Sequence, residues 1–540
     1  MIIQGRIVDI ENRRIFNGEL KVENGKIKSI EKIDQEVENY ILPGFIDSHI
    51  HIESSMLTPS EFARLAVVHG TVATVSDPHE IGNVLGVDGV KFMIENSKQT
   101  NFKCFFGAPS CVPATVFETS GAEINGEDIK FLLANPNIKY LAEMMNWPGV
   151  LNGDREVLRK IQSSLKAGKP VDGHAPGLMG QQAKLYAAAG ISTDHECFTL
   201  NEALDKLACG MHIIIREGSA ARNFDALIPL LPKYADKVMF CSDDKHPDSL
   251  LEGHINLLAR RAVKYGIDPM TVMRVACLNP VKHYRLDVGL LKEGDSADFL
   301  VVEDLESFTI LATYIRGQLV SKQGRSLLSS VDVTYTNNFK AQTKKPEDFK
   351  LEATGTTARV IVVDDGQLVT KEKKLPVKSI NGTVASDIDQ DILKIVVVNR
   401  YFESKPAVAL VQNFGLQHGA IASSVAHDSH NIIAVGVDDY SICEAVNEII
   451  KFKGGVAVVS DLEKKSLPLP VAGLMSPDDG YQVADQYIAV DALAKKLGSN
   501  LKAPFMTLSF MALLVIPELK LSDRGLFNGT SFEFVPLFVD

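Results

Sequence analysis

The 540-residue chain lacks a surplus of positive charge. Its 56 Lys and Arg residues stand against 68 Asp and Glu residues, for a formal net charge of −12. A broad surface for nucleic acid or for an anionic membrane needs clustered positive charge, so this balance argues against both partners. It leaves room for a small-molecule substrate, nucleobases included.

The chain also lacks any apolar run near the ~18 residues that a membrane-spanning helix needs. Its first residues, MIIQGRIVDIENRR, carry charges throughout and have no apolar core like that of a signal peptide. Seven cysteines are scattered without a CxxC pair, which indicates reduced thiols rather than a disulfide framework. These absences predict a soluble cytoplasmic protein.

Several catalytic motifs are missing as well. There is no P-loop, no GxSxG elbow and no HxE…PCxxC signature of the cytidine-type zinc deaminases. The pair His195-Glu196 is not continued to HExxH. The classes of enzyme that depend on these motifs are therefore disfavoured.

Residues 42–288 repeat a pattern of strand followed by helix, with helix-like stretches that end near glycines. Eight strands over some 240 residues have the rhythm of a (β/α)₈ barrel, and an open doubly wound sheet is the alternative. The predicted strands are Ile41–Ile46, Thr71–Ser76, Cys104–Phe106, Tyr140–Met144, Val171–Gly173, Ile191–Thr193, Met211–Arg216 and Lys237–Cys241.

Two β-rich segments flank this stretch, at 1–41 and 289–345. The first carries Asn-Gly turn signals at 17–18 and 24–25, as expected between short paired strands. We predict that the two segments together form one small β-sandwich domain. Residues 346–540 mix apolar strand-like runs with helical stretches, which predicts a C-terminal α/β domain.

Metal-binding residue types follow the predicted barrel strands where each strand ends, the rim at which barrel active sites form. His49 and His51 are two positions apart in an extended segment, so both imidazoles can reach one metal ion. The remaining candidates follow the fourth, fifth, sixth and eighth strands: Glu143, His174, His195 and Asp243. Each of these residues alone is unremarkable, but six metal-binding residue types that all follow predicted strands indicate a metal site.

Four histidines and two carboxylates suit two divalent cations with Glu143 between them. The mixed ligand set permits Zn²⁺, Mn²⁺ or Fe²⁺. Two such cations would lower the pKa of a water molecule and make hydroxide available. Asp243 is placed to take its proton and pass it to a leaving nitrogen. The sequence thus predicts metal-dependent hydrolysis.

Four motifs carry a family resemblance: HIESSM at 51–56, VSDPHEIGNVLG at 75–86, CSDDKHPDSLLEGH at 241–254 and VAHDSHNIIAVG at 425–436. Together with PGFIDSHIHIESS after the first strand, they make the chain resemble the amidohydrolase superfamily and, within it, the bacterial adenine deaminases. The resemblance runs nearly end to end and includes the C-terminal domain, which most amidohydrolases lack.

The resemblance implies hydrolysis of adenine to hypoxanthine and ammonia in purine salvage, at a divalent-metal centre that holds Mn²⁺ or Fe²⁺. It implies that Glu143 occupies the place where many amidohydrolases have a carboxylated lysine. The ligands implied are His49, His51, Glu143, His174, His195 and Asp243. Asp244 is adjacent to Asp243, and alternation favours Asp243 as the ligand.

Substrate contacts are expected from Asp77, His79 and Glu53, which follow the second and first strands. Attack at C6 of a purine puts electron density on N1, and the hypothesis is that Asp77 or Glu53 protonates it. The alternative is that both carboxylates cap the helices that follow them. The histidines of AHDSHN, His427 and His430, either close over the active site or form a polar turn.

Two other functions stay open. The same metal centre could hydrolyse a cyclic amide such as a hydantoin or a dihydropyrimidine. A non-catalytic scaffold is disfavoured because all six ligand positions carry competent residues. A homo-oligomer is compatible with the sequence.

Overall fold

A computed structural model describes the whole chain, from Met1 to Asp540. Its centre is a ring of eight parallel strands, in which neighbours along the chain are neighbours in space. The strands are Phe45–Ile50, Thr71–Ser76, Lys103–Ala108, Ile138–Met144, Val171–Gly173, Thr193–Asp194, His212–Arg216 and Val238–Cys241.

The ring closes on itself. Ile50 at the end of the first strand forms a parallel bridge with Asp243 just after the eighth. Between the fifth and sixth strands, the Ser192 N–H donates to the Val171 carbonyl at 2.8 Å. The (β/α)₈ prediction is confirmed, and the open-sheet alternative is wrong.

Barrel strands are apolar because helices cover their outer faces and the barrel core fills the inside. Ile213, Ile214 and Ile215 are all fully buried, for example. The barrel helices are Pro59–Ala66, His79–Leu85, Val87–Ser97, Gly126–Leu133, Trp147–Leu151, Arg155–Lys166, Gly180–Ala188, Leu200–Ala208, Phe224–Leu227, Leu231–Tyr234, Pro247–Glu252, Ile255–Lys264, Pro269–Met273 and Asn279–Tyr284.

The helix Arg155–Lys166 shows how the local sequence sets these boundaries. The Asp154 side chain accepts hydrogen bonds from the N–H groups of Glu156 and Val157 at 2.9 and 3.0 Å, which caps the helix start. Val157 and Ile161, four positions apart, are buried on its inner face. The chain turns away at Gly168, which has φ +68°.

The predicted strand Ile41–Ile46 is wrong, because two strands share this apolar run. Tyr40–Pro43 pairs with strands Ile2–Asp9 and Phe299–Val302 outside the barrel. The first barrel strand, Phe45–Ile50, begins after Gly44. A Cβ atom at Gly44 would lie 2.3 Å from the Val72 side chain, so only glycine fits where the chain passes between the two sheets.

The two flanking segments join in one hydrogen-bonded sheet with its own small core, which includes Ile7, Leu20 and Phe299. Its strands are Ile2–Asp9, Arg14–Glu23, Lys26–Lys32, Tyr40–Pro43, Phe299–Val302, Ile310–Ile315, Gln318–Lys322 and Arg325–Ser326. Buried Lys103 of the third barrel strand ties the barrel to this sheet through Asp298, 2.6 Å from its Nζ.

The C-terminal region mixes strands and helices, and strands predominate. Its main sheet contains Thr357–Val362, Lys371–Pro376, Ile392–Val398, Ala407–Gln412, Ala420–Ser423, Ile432–Gly436, Gly455–Val459 and Lys464–Pro468. Two smaller sheets contain Ser379–Ile380 and Thr383–Val384, and Leu519–Ser522, Gly525–Asn528 and Glu533–Phe534. The helices are Asp439–Phe452, Gly480–Lys496 and Pro504–Phe510.

This region packs on the barrel, and one hydrophobic core runs through both. Asp479, at the start of helix Gly480–Lys496, lies 2.6 Å from the Arg64 guanidinium of a barrel helix. Further along, the Tyr487 hydroxyl is 2.6 Å from His246 Nδ1. None of the helices combines the length and the apolar character needed to cross a bilayer.

Candidate metal centre and substrate cavity

The structure brings all six predicted ligands together at the carboxyl end of the barrel. His49 and His51, on the same side of the chain as it leaves the first strand, have Nε2 atoms 3.2 Å apart. Both nitrogens face Asp243, which follows the adjacent eighth strand, at 3.6 and 3.3 Å from its Oδ1. These three side chains therefore converge on one point.

Glu143, after the fourth strand, links two groups of imidazoles. Its Oε1 lies 3.5 Å from His51 Nε2. Its Oε2 lies 2.8 Å from His174 Nδ1 and 3.1 Å from His195 Nε2. One carboxylate thus faces both groups, which is the geometry expected of a ligand shared by two cations.

These residues fit divalent cations. The ring nitrogen His174 Nε2 and both ring nitrogens of His195 are buried without a hydrogen-bond partner. Burial disfavours ionised Glu143, but His174 and His195 outweigh burial and hold its pKa well below the usual range. Convergent imidazoles around carboxylates that stay ionised form a donor set for Zn²⁺, Mn²⁺ or Fe²⁺.

The structure separates the adjacent carboxylates Asp243 and Asp244. Asp243 has φ +54°, and its Oδ1 faces the imidazoles of the first strand. Asp244 instead accepts a hydrogen bond from the Ser54 hydroxyl at 2.5 Å. The geometry favours Asp243 in the ligand position, as alternation along the strand predicted.

Arg216 was missed by sequence reasoning, although a lone arginine ends the apolar run HIII of the seventh strand. It is 1% exposed and lies between two carboxylates. Its guanidinium donates to Asp243 Oδ2 at 2.6 Å and to Glu196 Oε2 at 3.1 Å. Burial raises the pKa of Asp243, but Arg216 and the neighbouring imidazoles together outweigh burial and hold that pKa well below its usual range.

Glu53 and Asp77 are placed differently from His79. Asp77 Oδ1 accepts from the His79 N–H at 3.0 Å, and Glu53 Oε1 accepts from the Ile81 N–H at 3.3 Å. The Asp77 bond fits the alternative that this carboxylate caps the helix that follows it. Glu53 instead bonds the start of the helix after the second strand, and its Oε2 is buried without a partner. His79 lines the cavity, and Glu53 and Asp77 do not. An oxygen of Asp77 nevertheless lies within 4.8 Å of ligand atoms of His51, His79 and Glu143.

The C-terminal region closes the cavity above the barrel rim. Five residues of this region line the cavity: Leu368, His427, Asp428, Phe510 and Leu513. His427 lies in the predicted turn, between strands Ala420–Ser423 and Ile432–Gly436, and this turn faces the cavity. The geometry therefore favours AHDSHN as a cover over the site rather than as a solvated turn.

Glu80 is a second residue that sequence reasoning passed over, although it stands in the motif DPHE. It lines the cavity, and His427 Nδ1 lies 2.5 Å from its Oε1. His430 Nε2 bonds the other oxygen. The feature that could have pointed to Glu80 is its position directly after His79. It was passed over because only residues at strand ends were considered as ligands.

A closed parallel barrel with buried imidazoles and carboxylates at its carboxyl rim defines a metal-dependent hydrolase of the amidohydrolase class. The profile of the amidohydrolase family matches residues 40–320. The profile of the adenine deaminase C-terminal domain matches residues 367–533.

Relatives that match this chain over nearly its whole length identify the family within this class. The chain is 56% identical over 99% of both chains to a protein named adenine deaminase from Sulfurovum sp. (strain NBC37-1). It is 53% identical, over 100% of this chain and 99% of the relative, to the adenine deaminase of Salinibacter ruber. A third, from Borreliella burgdorferi, is 50% identical over 99% of both chains. The chain belongs to the adenine deaminase family.

Proposed function

We propose that this protein hydrolyses adenine to hypoxanthine and ammonia. The observation that carries the proposal is the likeness to adenine deaminases over the whole chain, including the domain that closes the cavity. In this reaction the oxygen of water bonds to C6 and water gives up both protons. One proton ends on N1, and the other joins the amino nitrogen, which leaves as ammonia when the C6–N bond breaks. The chain must therefore supply a proton acceptor, a proton donor and a closed site.

The residues that would hold two divalent cations are those already described. His49, His51 and Asp243 face one point, His174 and His195 face another, and Glu143 faces both. Cations bound there would lower the pKa of water toward neutrality and so provide hydroxide.

Asp243 is the residue proposed to move the proton. Arg216 binds its Oδ2, which leaves Oδ1 directed at the imidazoles of the metal centre. An ionised carboxylate in this place accepts a proton from attacking water and gives it to the amino nitrogen as the C6–N bond breaks. Arg216 is then a positioning residue, because its proposed role is to orient Asp243.

His79 is proposed as a substrate-binding residue, held by Asp77, whose Oδ2 is 3.0 Å from His79 Nδ1. Burial and the charge of Glu80 raise the pKa of Glu53 to about 7. Because Glu53 and Asp77 bond the start of a helix, we place the contact with the ring nitrogen elsewhere. A Glu53→Gln enzyme should keep its kcat/KM within about threefold, and a loss beyond tenfold would restore Glu53 to the mechanism.

The test uses protein purified without chelator and supplemented with Mn²⁺. Loss of adenine absorbance, ammonia release and metal content per chain are measured together, with Asp243→Asn protein as the control. Turnover with two metals per chain supports the proposal. Full metal occupancy with ring opening of a dihydropyrimidine or hydantoin, and no adenine turnover, would favour the cyclic-amide alternative. Neither metal nor turnover would favour the scaffold.

The proposal extends to Mn²⁺ or Fe²⁺ as the native metal, to a place in purine salvage in the cytoplasm and to a homo-oligomeric state. The two carboxylates among the ligands support the metals, since oxygen ligands suit Mn²⁺. Metal analysis of protein made without added metal, localisation of the tagged chain and light scattering test these points in turn.

A further inference from the structure

One buried nitrogen in the cavity has no partner within the protein. His427 is 2% exposed, and its Nε2 makes no hydrogen bond. The nearest carboxylate oxygen to this nitrogen, Asp244 Oδ1, lies at 3.9 Å. A buried polar atom without a partner is costly, so one directed into a cavity indicates a ligand that completes it.

The orientation of this nitrogen is fixed from the other side of the ring. His427 Nδ1 lies 2.5 Å from Glu80 Oε1, so it donates its hydrogen there. The ring stacks on Phe510, with centroids 5.1 Å apart and planes 29° apart. Both contacts fix the imidazole with Nδ1 toward Glu80. His427 lines the cavity, and its Nε2 lies on the side of Asp244, another lining residue.

Glu80 is held in turn by His430. The Ala426 N–H donates to His430 Nδ1 at 3.2 Å, so that nitrogen carries no hydrogen. The hydrogen of neutral His430 is therefore on Nε2, which donates to the second oxygen of Glu80. The C-terminal domain thus binds both oxygens of a barrel carboxylate and leaves one imidazole nitrogen free.

We propose, on the basis of the adenine deaminase activity proposed above, that His427 is a substrate-binding residue whose Nε2 hydrogen-bonds a ring nitrogen of adenine. Glu80 and His430 are positioning residues, because they set the direction of the His427 ring. The C-terminal domain is then part of the active site as well as its cover.

The chemistry of the two groups is complementary. Burial lowers the pKa of His427, but the carboxylates of Glu80 and Asp244 outweigh burial and raise it to about 9. Nε2 therefore carries a hydrogen near neutral pH. The unprotonated ring nitrogens of adenine are acceptors, and addition of water at C6 increases electron density on N1, which strengthens a hydrogen bond to that atom.

A purely structural role for His427, as a clamp on Glu80, is the competing explanation, and two amide substitutions distinguish it. The amide nitrogen of Asn stands at the same number of bonds from Cβ as His Nδ1, and that of Gln matches Nε2. His427→Asn keeps the donor to Glu80 and loses the group in the cavity. His427→Gln keeps the group in the cavity and loses the donor to Glu80.

The proposal predicts that His427→Asn lowers kcat/KM about 10- to 100-fold, chiefly through KM, as expected for loss of a charge-assisted hydrogen bond. It predicts a smaller loss of kcat/KM in His427→Gln, which keeps a donor in the cavity but loses the bond to Glu80 that orients it. Metal content and thermal midpoint are measured for both. The reverse order, or equal kcat/KM values, would contradict substrate binding. His418→Asn, an exposed histidine of the same domain, is the matched control and should change nothing.

Binding of the 1-, 3- and 7-deaza analogues of adenine identifies the ring nitrogen. The analogue that lacks the contacted nitrogen should bind wild-type protein about tenfold more weakly than adenine does. In His427→Asn protein, that analogue and adenine should bind with similar affinity. If no deficit depends on His427, the contact with a ring nitrogen is wrong. Wild-type turnover of adenine with unchanged kcat/KM in His427→Asn would contradict this assignment alone. Wild-type protein that does not turn over adenine would contradict the proposed function and, with it, the assignment.

Discussion

Replacement of Arg216 by Met removes a fully buried guanidinium and leaves the carboxylates of Glu196 and Asp243 without their common partner. Loss of one member of a buried ion pair costs about 3–5 kcal/mol, because the remaining charge stays desolvated. At roughly 2–4 °C per kcal/mol for a domain of this size, the thermal midpoint should fall by about 6–20 °C. The catalytic loss should also be large, since Asp243 loses the guanidinium that orients its carboxylate, and general acid–base catalysis contributes about 10²–10⁴-fold.

Scanning calorimetry of chelated and Mn²⁺-loaded protein gives the midpoint, and ammonia release gives kcat. Bound cations also stabilise ionised Asp243, so the metal-loaded Arg216→Met protein should recover part of the lost stability and little of the kcat. Arg216→Lys keeps the positive charge but lacks the paired donors of a guanidinium. Its thermal midpoint and kcat should therefore lie between those of wild type and Arg216→Met. A midpoint within about 2 °C of wild type and kcat/KM within about threefold in Arg216→Met would refute this reasoning.

Three further predictions follow from single side chains. Asp243→Asn should lower kcat, measured by ammonia release, by about 10²–10⁴-fold. Asp244→Asn should keep the metal content of wild type, measured by metal analysis. Lys103→Met leaves Asp298 buried and unpaired, so chemical denaturation should show a loss of about 3–5 kcal/mol, and a loss under about 1 kcal/mol would contradict this. Burial lowers the pKa of Lys520 to about 7, so the unfolded chain binds more protons above that pH and unfolding free energy rises with pH from about 7 toward 10. Lys520→Met should reduce that slope by up to about 1.4 kcal/mol per pH unit, and an unchanged slope would show that Lys520 does not titrate there.

The cavity also suggests why a free base rather than a nucleoside would be the substrate. Phe510 and Leu513 of the C-terminal region line it, at 1% and 6% exposure. Because these side chains cover the cavity, we expect them to exclude a substrate that carries a sugar beside the base. Comparison of adenine with adenosine in the ammonia assay tests this, and equal kcat/KM values for the two would contradict it.

Sequence reasoning predicted the six residues that the structure brings together at the barrel rim, because their positions depend on local geometry. His49 and His51 are two positions apart after a strand, and His174 directly follows the strand Val171–Gly173. In a parallel barrel every strand ends at the same rim, so the strand ends predict the ligand set without further information. The same reasoning placed the first strand wrongly, because an apolar run does not show which of two sheets it enters.

Contacts between distant parts of the chain could not be predicted in this way. Glu80 and His427 are separated by 347 positions, and nothing local to either residue indicates that they pair. The roles of Glu53 and Asp77 depended on whether their oxygens faced the cavity or the backbone of helix His79–Leu85, a difference of side-chain direction rather than of spacing.

The sequence by itself determined the class of fold and the chemical type of the site, since alternation of strand and helix and residue type at strand ends are properties of short segments. Only the tertiary structure decided which carboxylate Arg216 orients and which domain closes the cavity. It also decided which nitrogen of His427 is left free for a ligand. These are decided by packing between segments far apart in the chain, where the position of each side chain depends on its neighbours in space.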